Sequence, residues 1–118
     1  MQSPNSGLSH DLAALTRCAN EVTAVLRAIG NPHRLLILCM LEEGEASVSE
    51  LQSKLSLRQS LVSQHLTRLR AEGLVISKRR EQFVFYAIAD KRVRALIRVL
   101  QQEFVEVNES QFQVSAKG

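Results

Sequence analysis

Residues 47–73 constrain the fold more tightly than any other part of the chain, because they carry two helix signals separated by only a short turn. Ser47-Val48-Ser49-Glu50 fits the S-x-x-E capping box, in which the serine hydroxyl and the glutamate carboxylate satisfy the free backbone N–H groups of a helix start. It predicts a short helix from Ser47, with Val48, Leu51 and Leu55 facing inward. After Ser56-Leu57 a longer helix is predicted to run to about Glu72, where Gly73 stops it. Its buried stripe is Val62, Leu66 and Leu69 at i, i+4 and i+7. A short helix, a three-residue turn and a longer helix fit a helix-turn-helix.

The rest of the chain reads as support for this pair. A first helix is expected over Ser9–Ile29, where Leu12, Leu15, Ala19, Val22, Leu26 and Ile29 recur at helical steps. Gly30 ends it, and Asn31-Pro32 starts a second helix whose segment Arg34–Leu41 is apolar almost all round and therefore central. Beyond Gly73, residues 74–78 and 83–88 are β-branched and aromatic runs on either side of Arg79-Arg80-Glu81-Gln82, which reads as the tip of a hairpin. The tip lacks the Gly or Asn that tight turns prefer. A last helix is expected from Asp90 to Val105, with Val93, Leu96, Ile97 and Leu100 on one face. The expected order is four helices, two strands and a helix, in one domain over 10–107 with disordered tails at 1–9 and 108–118.

The side of the longer motif helix opposite its core stripe carries Gln59, Ser60, Ser63, Gln64, Thr67 and Arg68. A merely solvated helix face would favour Glu and Lys, which form helix better than Ser or Thr and pair at i, i+4. Amide and hydroxyl side chains instead suit the edges of bases in a major groove, and Ser and Thr also bond phosphate. The charge distribution agrees. Between Lys54 and Arg80 there are seven cations and one acid, a balance of +6 in a chain whose net charge is +3. A basic segment on a mildly acidic body is the footprint of a phosphate-backbone binder. Lys78, Arg79 and Arg80 are therefore expected beside the duplex, together with Arg58 at the motif turn.

Four stretches carry a resemblance: Asn31-Pro32-His33-Arg34-Leu35-Leu36-Ile37-Leu38, Ser49-Glu50-Leu51, Leu61-Val62-Ser63-Gln64-His65-Leu66 with Leu69-Arg70, and Glu72-Gly73-Leu74-Val75. Over roughly 20–105 the chain resembles the winged helix-turn-helix repressors of the ArsR/SmtB family. The resemblance implies a mainly α fold with a β-hairpin wing, α1-α2-α3-α4-β1-β2-α5. It also implies a homodimer paired through its terminal helices, bound to an inverted-repeat operator of double-stranded DNA and released by a signal. One departure is Arg58, where the family usually has a Ser or Thr cap; its loss costs roughly 0.5–2 kcal/mol unless Gln59 or Ser60 substitutes.

The resemblance also frames what the chain senses. Metal-sensing members carry paired cysteines on the first motif helix, whereas Ser47-Val48-Ser49-Glu50-Leu51 has no thiolate. Others hold zinc between last helices through an Asp-x-His and a downstream His-x-x-Glu. Here Asp90 and Glu106 stand at matching spacing, but Arg92 and Glu103 replace the histidines, and no metal or other cofactor is expected. Cys39 matches a cysteine of the persulfide- and oxidant-sensing branch, whose usual second cysteine corresponds to Val105 here. Cys18 is a candidate substitute partner if packing brings it near. The other reading of Cys39 is a core residue, since free Cys is often buried.

No nucleophile elbow, P-loop or paired metal ligands are visible, so no enzyme is expected. The polar N-terminus has no signal-peptide pattern, and no apolar run approaches the ~18 residues that cross a bilayer, which points to the cytoplasm. Three inducer readings stay open: thiol modification, a small molecule, or none. A rival from another class is a winged-helix adaptor that binds proteins and not DNA.

Overall fold

The structure is a computed structural model that describes residues 6–106, with side chains over 11–105. Helix α1 spans Ser6–Ile29, α2 Pro32–Glu43, α3 Val48–Leu55 and α4 Gln59–Ala71. Strands β1 (Val75–Arg80) and β2 (Phe83–Ile88) follow, then α5 (Lys91–Leu100), which continues without a break as π-helix over Gln101–Glu106. The expected element order is therefore observed. Helix α1 starts at Ser6, inside the segment expected to be a tail; residues 1–5 and 107–118 lie outside the described residues.

Each boundary has a local cause. The side-chain oxygen of Asn31 accepts from the backbone N–H of His33 and Arg34 at 2.9 and 3.1 Å, and Pro32 occupies the first turn of α2 where no N–H is needed. Arg34 then reaches back: its Nε donates to Ala28 O at 2.5 Å and its Nη2 to Arg27 O at 3.3 Å, so it satisfies carbonyls that the end of α1 leaves free. The capping box at Ser47 forms in both directions, at 3.1 Å from Glu50 N to Ser47 Oγ and 3.0 Å from Ser47 N to Glu50 Oε1. Helix α4 closes in a Schellman motif, with Leu74 N bonded to Leu69 O at 2.9 Å, Gly73 N to Arg70 O at 3.0 Å, and Gly73 at φ +79°.

Helix α2 is central and touches α1, α3, α4, α5 and β2. Its Ile37, Leu38 and Leu41 are fully buried with Leu51 of α3, the Val62, Leu66 and Leu69 stripe of α4, and Ile97 of α5. The hairpin pairs Val75 with Ile88 through Arg80 with Phe83, leaving a two-residue turn at Glu81-Gln82. Arg79 and Arg80, expected in the tip, are thus strand residues, because the ladder extends two positions further than the apolar runs suggest. Glu81 takes the left-handed conformation (φ 57°) that such turns require. Ala46 adds an antiparallel bridge to the free edge of β2, with Ala46 N bonded to Tyr86 O at 3.1 Å and Tyr86 N to Ala46 O at 2.8 Å.

The first helix corrects an expectation. Of the stripe expected to face the core, only Ile29 is buried, while Leu12, Leu15, Val22 and Leu26 are exposed at 64, 53, 38 and 50%. The periodicity is real, but nothing among the described residues covers that face. Among the described residues no single helix is long and apolar enough to cross a membrane.

Candidate nucleic-acid interface

Helix α4 is held by its stripe against α2, α3 and β1, which fixes what its other side offers. Gln59, Ser60, Gln64, Thr67 and Arg68 are exposed, and Ser63 is half-buried at the edge of the packed side. The Thr67 hydroxyl donates to Ser63 O at 2.8 Å, which leaves its oxygen lone pairs outward. Arg68 lies 3.7 Å from Glu72 one turn on, an exposed pair that holds it loosely.

Arg58 sits at the cap position of α4 with extended backbone and makes no side-chain cap, and neither Gln59 nor Ser60 replaces it. The expected missing cap is therefore observed. The N–H groups of Gln59 and Ser60 receive no side-chain cap, and Arg58 itself is exposed. At the other side of the motif helix, His65 packs rather than projects: its ring meets that of His33 edge to face at 5.5 Å, and Arg34 Nη1 lies 3.5 Å from its Nδ1. Burial, then the charges of Arg34 and His33, push the His65 pKa down.

The wing separates its three cations. Lys78 stands opposite Phe85 and Arg80 opposite Phe83 on one face, whereas Arg79 is on the other face, opposite Val84. Glu45, in the loop before α3, takes one cation on each carboxylate oxygen: Lys78 Nζ on Oε2 and Arg80 Nη2 on Oε1, both at 2.8 Å. These bonds, the one from Lys78 first, hold the Glu45 carboxyl below its usual range. Arg80 also lies over the Phe85 ring, 5.7 Å from its centre. Among the described residues Arg58 and Arg79 make no ion pair, so the cations expected to act together are divided into held and free ones. Sequence reasoning passed over Glu45, whose only signal is an acid one residue before an extended position.

The two thiols are not brought together. Cys18 lies on α1 in a groove of about 160 Å³ against α5, and donates to Ala14 O and Leu15 O of its own helix at 3.5 Å. Cys39 is half-buried on α2, where burial first and the charge of Glu42 next raise its pKa, and the nearby Gln101 side chain lowers it by less. Arg92 occupies the carboxylate of Asp90, with Nη2 2.7 Å from Oδ2, and bridges to Glu21 of α1 at 3.1 Å. Asp90 is held down at about 2, chiefly by that side chain. Among the described residues, no three His, Cys, Asp or Glu groups cluster so as to hold a metal ion.

Residues 31–77, from the cap of α2 through the motif to the start of the wing, match the bacterial regulatory proteins of the arsR family. Over 87% of its length the chain is 39% identical to the transcriptional activator HlyU of Vibrio cholerae, covering 95% of that protein. The chain belongs to the arsR family. Reduced HlyU superposes with a TM-score of 0.73 at 41% identity, over 77% of this chain and 96% of that one. The biofilm growth-associated repressor of Agrobacterium fabrum is 37% identical over 84% of this chain and 85% of its own. The homodimeric winged helix-turn-helix DNA-binding domain of Mb0332 from Mycobacterium bovis matches with a TM-score of 0.69 at 29% identity, covering 92% of this arsR-family chain and 93% of that domain.

Proposed function

We propose that this arsR-family chain is a transcriptional repressor that binds an inverted-repeat operator as a homodimer. The observation that carries the reading is the outward row of α4, in which amide and hydroxyl groups replace the Glu and Lys of a solvated face. Gln59, Ser60, Ser63, Gln64, Thr67 and Arg68 meet the major groove, Arg58 meets a phosphate at the start of α4, and the wing residues Lys78, Arg79 and Arg80 meet the flanking backbone. Relatives named as an activator and a repressor support a regulator of transcription, and repression needs nothing beyond occupancy of the operator. The uncovered apolar face of α1, together with an exposed Phe104 at 64% beyond α5, supports pairing through the terminal helices. A DNA-binding role fits a cytoplasmic protein, and no single helix among the described residues is long and apolar enough to cross a membrane.

Titration of the protein into its own upstream DNA and into scrambled duplex tests this reading. Gln64→Ala is expected to relax sequence preference by about 1–3 kcal/mol. Arg79→Ala is expected to weaken both duplexes and to flatten the salt dependence by about one unit of slope. A protein-binding adaptor predicts no salt-sensitive duplex binding at all, and equal effects of both substitutions on both duplexes contradict the assigned roles.

A second reading concerns release. Cys39 lies where α2 meets the start of the π-helical segment, beside Gln101, so an adduct on its thiol pushes directly on a terminal helix. Its raised pKa lowers the thiolate fraction, which slows its attack on persulfides and oxidants alike. Cys18, on another helix, serves as a partner only across a dimer. Operator binding that is lost with a persulfide donor and kept in Cys39→Ser supports thiol release. Binding indifferent to the donor returns Cys39 to the core and leaves a small-molecule inducer, or none.

A further inference from the structure

We propose that Glu45 is a specificity-determining residue of the wing: it holds Lys78 and Arg80 as an internal substitute for phosphate, and releases them only when α4 is seated on its correct site. The inference rests on the DNA-binding reading above. Glu45 engages both cations at 2.8 Å, one on each oxygen, so a phosphate must draw each cation away from a carboxylate oxygen to bind it. The arrangement is built rather than incidental. The Ala46–Tyr86 bridge pins the loop to β2, and the hairpin register puts Lys78 and Arg80 on the one face that Glu45 can reach. The Glu45 side chain is only 25% exposed, whereas Lys78 and Arg80 are 45 and 62% exposed, so the cations can turn outward while the acid stays in place.

A phosphate gains these cations only by breaking two ion pairs and approaching an unpaired carboxylate. Random duplex offers nothing beyond backbone attraction to offset that loss. At the correct site, base contacts along α4 fix the wing against the backbone and supply the difference. In random complexes Arg58 and Arg79 therefore act as the available phosphate binders, and Lys78 and Arg80 stay on Glu45.

The test compares wild type, Glu45→Gln, Lys78→Gln and the double variant on upstream and scrambled duplex over 50–200 mM salt, with circular dichroism on each protein. Glu45→Gln is expected to steepen the salt slope on scrambled duplex by about 1–2, or about 0.9 for each freed cation, and to leave the upstream slope unchanged. The specificity ratio narrows accordingly. Lys78→Gln alone is expected to leave the scrambled slope unchanged and to lower it by about 1 in the Glu45→Gln background, a coupling that loss of structure does not produce. If Glu45→Gln does not fold, the Lys78→Gln arm decides alone, and a scrambled slope that falls by about 1 in that single variant overturns the latch. Unchanged slopes for Glu45→Gln, with wild-type binding to upstream DNA intact, overturn the inference and spare the functional reading. Wild-type protein with no salt-sensitive binding to either duplex overturns both.

Discussion

At Arg58 stability and the proposed binding role pull in opposite directions. The position starts α4 and leaves its first N–H groups without a side-chain acceptor. Arg58→Ser is expected to raise stability by roughly 0.5–2 kcal/mol in thermal or urea unfolding, because a serine oxygen accepts from the first turn. The same change removes a cation from the proposed DNA side, so affinity for any duplex is expected to fall and its salt slope to flatten by about one unit. A stable variant with undiminished affinity removes Arg58 from the interface. His65 belongs to the same scale. Its pKa lies below 6.5 in the folded chain, chiefly through burial, so above that value both folded and unfolded chains carry it neutral. As pH falls through 6.5 the unfolded chain takes the proton first, and the melting temperature is expected to drop between about pH 7 and 5.5. His65→Gln flattens that part of the profile, and an unchanged profile assigns the drop to other groups.

Among the elements, the ends of α2, α3 and α4 were legible in sequence because their causes are local: Asn31-Pro32, the Ser47/Glu50 box and Gly73 act within a few residues. Gly73 makes this measurable. A methyl group added there meets nothing within 4 Å, so Gly73→Ala carries only the backbone cost of φ +79°. The expected loss is about 1–2 kcal/mol in urea unfolding with an unchanged m-value. A loss near zero instead implies that α4 ends differently in solution. The hairpin tip was less legible, since Glu81 adopts a left-handed conformation that its residue type does not announce. The Glu45 pairs were not legible at all. They join residues 33 and 35 positions apart, and they depend on a bridge at Ala46 that no short pattern encodes. The row of α4 was readable as a face, whereas the division of the wing cations needed the register.

For the whole molecule, α1 separates what the sequence encodes from what one chain completes. Its helical period is plain, yet Leu12, Leu15 and Leu26 stay at least half exposed because no surface among the described residues covers them. Leu15→Glu is expected to leave the folded chain nearly unaffected, since Leu15 is already 53% exposed. It is also expected to convert a dimer to a monomer by sedimentation, and to weaken inverted-repeat binding about a hundredfold through lost bivalency. A dimer that persists in this variant places the subunit contact elsewhere. The uncovered helix carries a consequence for supply as well as shape. Where two copies must close it, the active species grows with the square of chain concentration at low abundance, and its melting temperature climbs with dose. Each twofold dilution of the chain then cuts the dimer by about fourfold, so the face of α1 is expected to set a threshold of abundance below which the operator is left empty.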